Sequence, residues 1–254
     1  MKQIAVITGG ANRIGRAICL RLASLGYGLI IHYRQSQHTA LQTRDDCLAA
    51  GASVVETIQS DLADPQARAN FIDLGFERIG PITLLVNSAS MFDYDNADSF
   101  SASRLGEHLQ TNYLAPVELT MALYKRAMAA KLETPPHVVT LLDQKVFNLN
   151  TDYMTYTLAK LASHSSIRYL AQCCAPVLRV NAIAPGVTLA SGSMNTASFN
   201  QAHQIAALGH SSNADDIAKA VVLLDSSPAI TGQTLVVDGG QHLIPRARDV
   251  AFEV

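Results

Sequence analysis

Short runs of apolar, mostly branched residues recur along the chain at Ile4–Thr8, Gly28–Tyr33, Ser53–Ile58, Ile82–Asn87, His137–Leu142, Leu178–Ala184 and Thr234–Asp238. Between most of them lie longer stretches in which apolar residues return with helical period. Apolar runs without polar alternation suit strands covered on both faces. Their alternation with helices predicts right-handed βαβ units and a parallel sheet between two helical layers. The chain therefore reads as one doubly wound, Rossmann-type α/β domain over residues 1–254, with a parallel seven-stranded sheet. It contains no internal repeat, low-complexity tract or long linker. The least patterned segment, Val187 to Asn200, is rich in Ser, Thr, Gly and Asn and follows Pro185-Gly186 at a strand end. Ligands of open α/β sheets bind beyond the carboxyl ends of the strands, so residues from 187 to about 210 are expected to be a substrate loop, against the alternative of an ordinary surface loop.

Composition narrows the class without changing the fold. Of the 254 residues, 48% are hydrophobic and 16% charged, which suits a compact core and excludes a disordered chain. A net charge of −2 gives no electrostatic pull on nucleic acid or an anionic membrane. Cys19, Cys47, Cys173 and Cys174 show no zinc-ligand spacing, no histidine has a partner at ligand spacing, and no metal site is expected. The cysteines are expected to be reduced and buried. The first strand starts three residues after Met1, leaving no room for a signal peptide, and no apolar run reaches the ~18 residues of a membrane span. A cytoplasmic protein is expected.

The first candidate chemistry follows the first strand: Thr8-Gly9-Gly10-Ala11-Asn12-Arg13-Ile14-Gly15 leads into a helix with Ala17, Ile18 and Leu22 on its apolar face. A glycine turn opening a helix presents backbone N–H groups and a positive dipole end to phosphate, and between a first strand and a helix this pattern points to a dinucleotide. The ribose-reading position at the end of the second strand is His32-Tyr33-Arg34. An acidic residue there would select a free ribose hydroxyl; none is present, and the Arg34 fork suits a 2′-phosphate, favouring NADPH over NADH. Asp61, followed by Leu62, either bonds the adenine amine or caps a helix.

Tyr156 and Lys160 lie four residues apart, on one face of a helix, where an ammonium near a phenol would favour its ionised form. With these elements in order, the chain resembles the short-chain dehydrogenase/reductase family over essentially its whole length. The matching residues are the Thr8–Gly15 turn, Asp61, Asn87-Ser88-Ala89-Ser90, Asn112, Tyr156 with Lys160, Pro185-Gly186 and Asp238-Gly239-Gly240. The resemblance implies that Tyr156 is the proton donor, that Lys160 holds the nicotinamide ribose and lowers the tyrosine pKa, and that Asn112 helps order a water relay. It also implies that Asn87 and Ala89 line the cofactor cleft and that Pro185 and Gly186 pass near the nicotinamide.

Three departures bear on substrate. Arg13 replaces the middle glycine of the turn, Asn87-Ser88-Ala89-Ser90 replaces Asn-Asn-Ala-Gly, and Asp143 stands where a serine is expected thirteen residues before Tyr156. Together these are similar to the pteridine reductase branch, which includes dihydromonapterin reductases and relatives able to reduce dihydrofolate. Phe92 matches an aromatic of that branch that stacks on the pterin. The chemistry agrees, since a carboxylate would repel the alkoxide developing from a ketone, whereas a pterin offers a C=N bond and an N–H-rich edge. Asp143, Tyr156, Lys160 and Asn112 are therefore the expected catalytic residues, and Arg13, Ser90, Phe92, Asp143 and Tyr156 the expected pterin contacts. Asp143 also suits an N-cap, Arg13 a surface helix, Phe92 a core position and Ser90 a cramped turn. Tyr153 is a further candidate contact, and Met91 has no assigned role.

The expected function is NADPH-dependent reduction of a dihydropterin such as dihydromonapterin or dihydrobiopterin, with dihydrofolate as a further candidate. The alternatives are a carbonyl or 3-oxoacyl thioester reductase and a non-catalytic NADP-binding sensor. A homodimer or homotetramer is implied through the helix from about Glu107 to Met128 and the helix carrying Tyr156.

Overall fold

The computed structural model describes residues 3–190 and 194–253. Seven parallel strands form one sheet: β1 (Ile4–Ile7), β2 (Gly28–Tyr33), β3 (Val54–Gln59), β4 (Leu84–Asn87), β5 (His137–Leu141), β6 (Arg179–Pro185) and β7 (Thr234–Val237). Their order is β3-β2-β1-β4-β5-β6-β7. The chain runs outward from β1 to β3, then returns to lay β4 on the other side of β1. The connections after β1 and β4 consequently diverge, opening a crevice at the carboxyl ends of the two central strands.

The unbroken apolar runs conceal a period of two. Ala5 and Ile7 pack into one core with Leu29, Ile31, Leu84 and Val86, whereas Ile4 and Val6 join Ile30 and Leu85 in a second core on the opposite face. Both faces are covered, so neither needs polar residues. Helices α1 (Arg13–Ala23) and α2 (Gln37–Ala49) supply Ile18, Leu22 and Cys47 to the first core. The short α3 (Pro65–Ala69), α4 (Phe71–Ile79), α5 (Ala102–Leu109), α6 (Ala115–Ala130) and α7 (Met154–Cys174) follow in order. Of these, α4, α6 and α7 supply Phe71, Ile72, Leu119, Leu123 and Ala171 to the second core. Each fully buried Leu or Ile contributes about 1.5–3 kcal/mol, so the two cores dominate the stability of the sheet. Helices α8 (Thr196–Gln204) and α9 (Ala214–Asp225) complete the chain, with Ile217, Val221 and Leu224 of α9 beside α1.

Several expectations are corrected. The single helix expected from about Glu107 to Met128 starts earlier, where Ser101 Oγ accepts from Arg104 N at 3.2 Å, and is broken by a π-helical turn over Gln110–Leu114. In the segment expected to be loop, α8 begins at Thr196 because Asn195 Oδ1 accepts from Ser198 N at 2.9 Å. Its apolar positions are too few to show a helical period in the sequence. Residues 191–193 of the expected substrate loop lie outside the described residues. Cys173 is exposed, not buried, because neighbours on a helix point about 100° apart and Cys174 takes the core position. Among the described residues no helix is long and apolar enough to cross a membrane, and no cluster of side chains could hold a metal ion.

Candidate active site

A cleft of about 660 Å³ runs along the carboxyl ends of β1 and β4 and collects nearly every residue singled out in the sequence. At one end is the glycine turn. Gly9 adopts φ +64°, which favours glycine, and a Cβ on Gly15 would collide with the Gly9 carbonyl. Asn12, in extended conformation before α1, provides no side-chain cap, and the first turn of α1 holds no acidic residue. By contrast, α9 carries a full capping box from Asn213 and Asp216. The α1 terminus therefore keeps its unpaired N–H groups and positive dipole end for an anion in the cleft lined by Arg13, Ile14 and Gly15. Thr8, at the start of this turn, locks it to the loop after β4: its hydroxyl accepts from Ser88 N at 2.9 Å and Ala89 N at 3.0 Å.

Tyr33, Arg34, Asp61 and Leu62 line the same end. Arg34 is exposed and makes no ion pair among the described residues, so its guanidinium is available to a phosphate. Asp61 Oδ1 accepts from Ala63 N at 2.9 Å. His32, expected to touch the cofactor, lines the cleft and also braces the glycine turn. Its Nδ1 accepts from Gly9 N at 3.0 Å and its Nε2 lies 3.0 Å from the Ser60 carbonyl. A backbone N–H can only donate, so Nδ1 is unprotonated and Nε2 carries the proton. Burial lowers the His32 pKa and keeps this neutral form.

Two asparagines also differ from expectation. Asn87 is not among the residues lining the cleft; its Nδ2 donates to Thr140 Oγ1 at 3.4 Å, while its buried Oδ1 has no partner among the described residues. Asn112, on the π-helical turn, does not line the cleft either. Its Oδ1 accepts from Met91 N at 2.8 Å and Ser90 Oγ at 3.1 Å, and its Nδ2 donates to the Met91 carbonyl at 2.8 Å. Its own carbonyl accepts from Ser163 Oγ at 2.7 Å. Asn112 thus fixes the loop segment leading to Phe92, with side chain and carbonyl both engaged within the protein. Met91 acquires a role as the clamped residue.

At the centre, the Tyr156 hydroxyl donates to Asp143 Oδ2 at 2.8 Å. Asp143 Oδ1 accepts from Lys145 N at 2.8 Å, so the residue is also the N-cap of a short 3-10 turn. One oxygen thus pairs with Tyr156 and the other caps the turn. Lys160 Nζ donates to the Leu141 carbonyl at 2.8 Å and lies 5.6 Å from the Tyr156 ring centroid. Burial lowers the Lys160 pKa to about 8, with Asp143 opposing. The expected acidification of the phenol is not found. Burial first, then the Asp143 charge and hydrogen bond, push Tyr156 well above its ordinary value. Burial likewise raises Asp143, against its bonds from Lys145 and Tyr156. Both shifts favour the protonated forms, and the phenol hydrogen is directed at Asp143.

Beside this pair, Phe92 stacks on Tyr153 with ring centroids 4.2 Å apart and meets Tyr156 edge-on at 4.8 Å. Phe92 is 37% exposed, so it is a cleft wall rather than a core residue. Tyr153 is held in the left-handed region, φ 55°, at the start of α7. Arg13 Nη1 donates to the Ala190 carbonyl at 2.8 Å, which ties the glycine turn to the segment after Gly186. Pro185, Gly186 and Ser90 line the cleft as expected. Nothing in the sequence marked Arg246, Arg248, Asp249, Val250 and Ala251, which also line the cleft. Only packing reveals them, because no motif marks that segment.

The chain is similar to known proteins over nearly its whole length. A family model described as enoyl-(acyl carrier protein) reductase matches residues 9–242. The crystal structure of FolM alternative dihydrofolate reductase 1 from Brucella canis, complexed with NADP, superposes with a TM-score of 0.88 at 33% identity, covering 98% of each chain. Pteridine reductase 1 of Leishmania tarentolae is 25% identical, covering 94% of this chain and 96% of that protein. A putative ketoacyl reductase of granaticin polyketide synthesis from Streptomyces violaceoruber is 26% identical, covering 95% and 96%.

Proposed function

The chain belongs to the short-chain dehydrogenase/reductase family, and from that premise we propose that it is an NADPH-dependent pteridine reductase. Its proposed reaction converts a dihydropterin such as dihydromonapterin or dihydrobiopterin, or dihydrofolate, to the tetrahydro form. The observation that carries this reading is the 2.8 Å hydrogen bond from Tyr156 to Asp143, which puts a carboxyl group where a ketone reductase needs a neutral hydroxyl. The likeness to an alternative dihydrofolate reductase and a pteridine reductase supports it.

The residues present fit NADPH. The uncapped start of α1, the space left by Gly9 and Gly15 and the free Arg34 guanidinium suit its phosphates. Tyr33, Asp61, Leu62 and Ala89 would flank its adenosine half, and Lys160, Pro185 and Gly186 its nicotinamide half. When bound, NADPH supplies hydride to the carbon of the substrate C=N bond. The Tyr156 hydroxyl holds the proton for the adjacent ring nitrogen. Asp143, whose proton affinity burial raises, accepts from the substrate's N–H edge and shares the proton with Tyr156. Lys160, 5.6 Å from the phenol ring, offsets the negative charge left when the proton departs. Phe92, backed by Tyr153, offers a flat apolar wall to the pterin ring. Arg13 and Ser90, which line the cleft, would meet its polar edge.

The same reading makes the protein a cytoplasmic homodimer or homotetramer assembled through α6 and α7. The deciding assay follows NADPH oxidation with dihydromonapterin, dihydrobiopterin, dihydrofolate and acetoacetyl thioester. Turnover of dihydropterins supports the proposal. Turnover of the thioester alone would make the protein a 3-oxoacyl reductase, and tight NADPH binding with no turnover would make it a sensor.

A further inference from the structure

Lys145 stands two residues beyond Asp143 and is almost fully buried, with 3% of its side chain exposed. A buried ammonium is costly unless it is paired, so its partners indicate what it does. Its backbone N–H donates to Asp143 Oδ1 at 2.8 Å. Its ammonium reaches the other way, donating to Asn150 Oδ1 and to Asp249 Oδ2, the latter at 3.0 Å, and lies 5.4 Å from the Tyr153 ring centroid. Asp249 is itself held twice within the C-terminal segment and its support. Its backbone N–H donates to the buried Asp152 carboxylate at 2.7 Å, and its Oδ1 accepts from Ala251 N at 3.1 Å. Asp152 grips Arg248 through both oxygens at 2.8 Å. A continuous set of bonds thus joins the carboxylate beside Tyr156 to the segment that walls the cleft.

We propose that Lys145 and Asp249 are a positioning pair for proton delivery: Lys145 fixes the Asp143 carboxylate with its backbone and anchors the cleft-lining C-terminal segment with its ammonium. One residue thereby sets both the orientation of the proton-sharing pair and the wall against which substrate lies. The inference rests on Asp143 and Tyr156 being the proton-delivering groups. The charged and titratable groups facing that pair are Lys145 on the turn after β5, Lys160 and Tyr153 at the start of α7, His108 on α5, whose ring lies 6.2 Å from Tyr156, and Asp249. Of these, Asp249 and Lys145 act in opposite directions: the Asp249 charge raises Asp143 and Tyr156, and the Lys145 charge lowers Asp143.

The test measures kcat and KM across pH for the full-length protein and for Asp249→Asn, Lys145→Met, the double variant and Asp143→Asn, with thermal melts of each. Delivery needs the proton in place, so activity falls as pH rises through the pair's titration. Asp249→Asn should move this basic limb of kcat to lower pH, and Lys145→Met to higher pH, each by roughly half a pH unit or more. KM for NADPH should stay within about twofold, because the pair lies outside the residues proposed to hold it. Basic limbs that coincide with the parent, or that move the same way in both single variants, would overturn the proposal, since a merely structural role does not produce opposite shifts. If Lys145→Met fails to fold, Asp249→Asn and the charge-balanced double variant decide: a downward shift in the first, reversed in the second, supports the pair, and no shift refutes it. Asp143→Asn separates the two claims. Full activity in that variant would refute the underlying proton-delivery reading, whereas its loss alongside unmoved profiles in the other variants would refute the pair alone.

Discussion

The N–H of Gly9 and Nδ1 of His32 are joined by a hydrogen bond of 3.0 Å, and this bond holds the turn that opens the cofactor end of the cleft. It exists only while His32 is neutral. Burial depresses the His32 pKa, so the unfolded chain takes up a proton at a higher pH than the folded one. The stability due to the neutral ring is fully present above the unfolded pKa of about 6.5 and is lost as pH falls toward the folded value. Buried His137, also lowered by burial, adds in the same direction. Thermal melts should therefore show Tm falling between about pH 7.5 and pH 5. His32→Leu should reduce that slope and cost about 1–3 kcal/mol at neutral pH by stranding the Gly9 N–H. An unchanged slope would remove His32 from the acid sensitivity.

Arg34 has no carboxylate partner among the described residues and faces the end of the cleft expected to hold the adenosine. Arg34→Glu should weaken NADPH binding by roughly 10- to 100-fold, the loss of a charge-assisted phosphate contact, while leaving NADH nearly unaffected. Fluorescence titration with both cofactors checks this. Equal loss for the two would show that Arg34 does not read the 2′-phosphate.

Gly15→Ala should abolish cofactor binding in a protein that still folds or is only modestly destabilised. The added Cβ would meet the Gly9 carbonyl, so the turn must move, whereas the sheet beneath is untouched. Retention of NADPH affinity would show that this approach of the two glycines is not needed.

Asn112→Ala should raise KM for a dihydropterin and lower kcat, since it frees the Ser90–Met91 segment that carries Phe92. Three hydrogen bonds are lost, and a displacement of about 1 Å in a positioning segment can cost on the order of 100-fold in rate. Phe92→Ala should reproduce the KM effect without the same loss in kcat. Steady-state kinetics separate the two, and an unchanged KM in both would detach this segment from the substrate.

The sheet was legible because its inner strands β1, β2, β4 and β5 are buried on both faces, which leaves mostly apolar runs, while β3 and β7 at the edges are only part-buried; the described strands fall within a few residues of the runs. The glycine turn and the Tyr156–Lys160 spacing were legible because local backbone needs and helix geometry dictate them. Other parts could not be read locally. Asn112 was expected at the site, yet it clamps Met91, and His32 lines the cleft but also holds the glycine turn, distinctions that depend on which side chains meet across the fold. The helix α8 carries too little apolar pattern to announce itself. Lys145, Asp152 and Asp249 were invisible because their roles come from contacts spanning about a hundred residues, as in the bond from Lys145 to Asp249.

The central claim is that Asp143 shares a proton with Tyr156 for delivery to a pterin nitrogen, and the most direct measurement is turnover of Asp143→Ser. The predicted result is a fall in dihydropterin kcat by roughly 100-fold or more, with NADPH affinity retained. Undiminished dihydropterin reduction by Asp143→Ser would contradict the account.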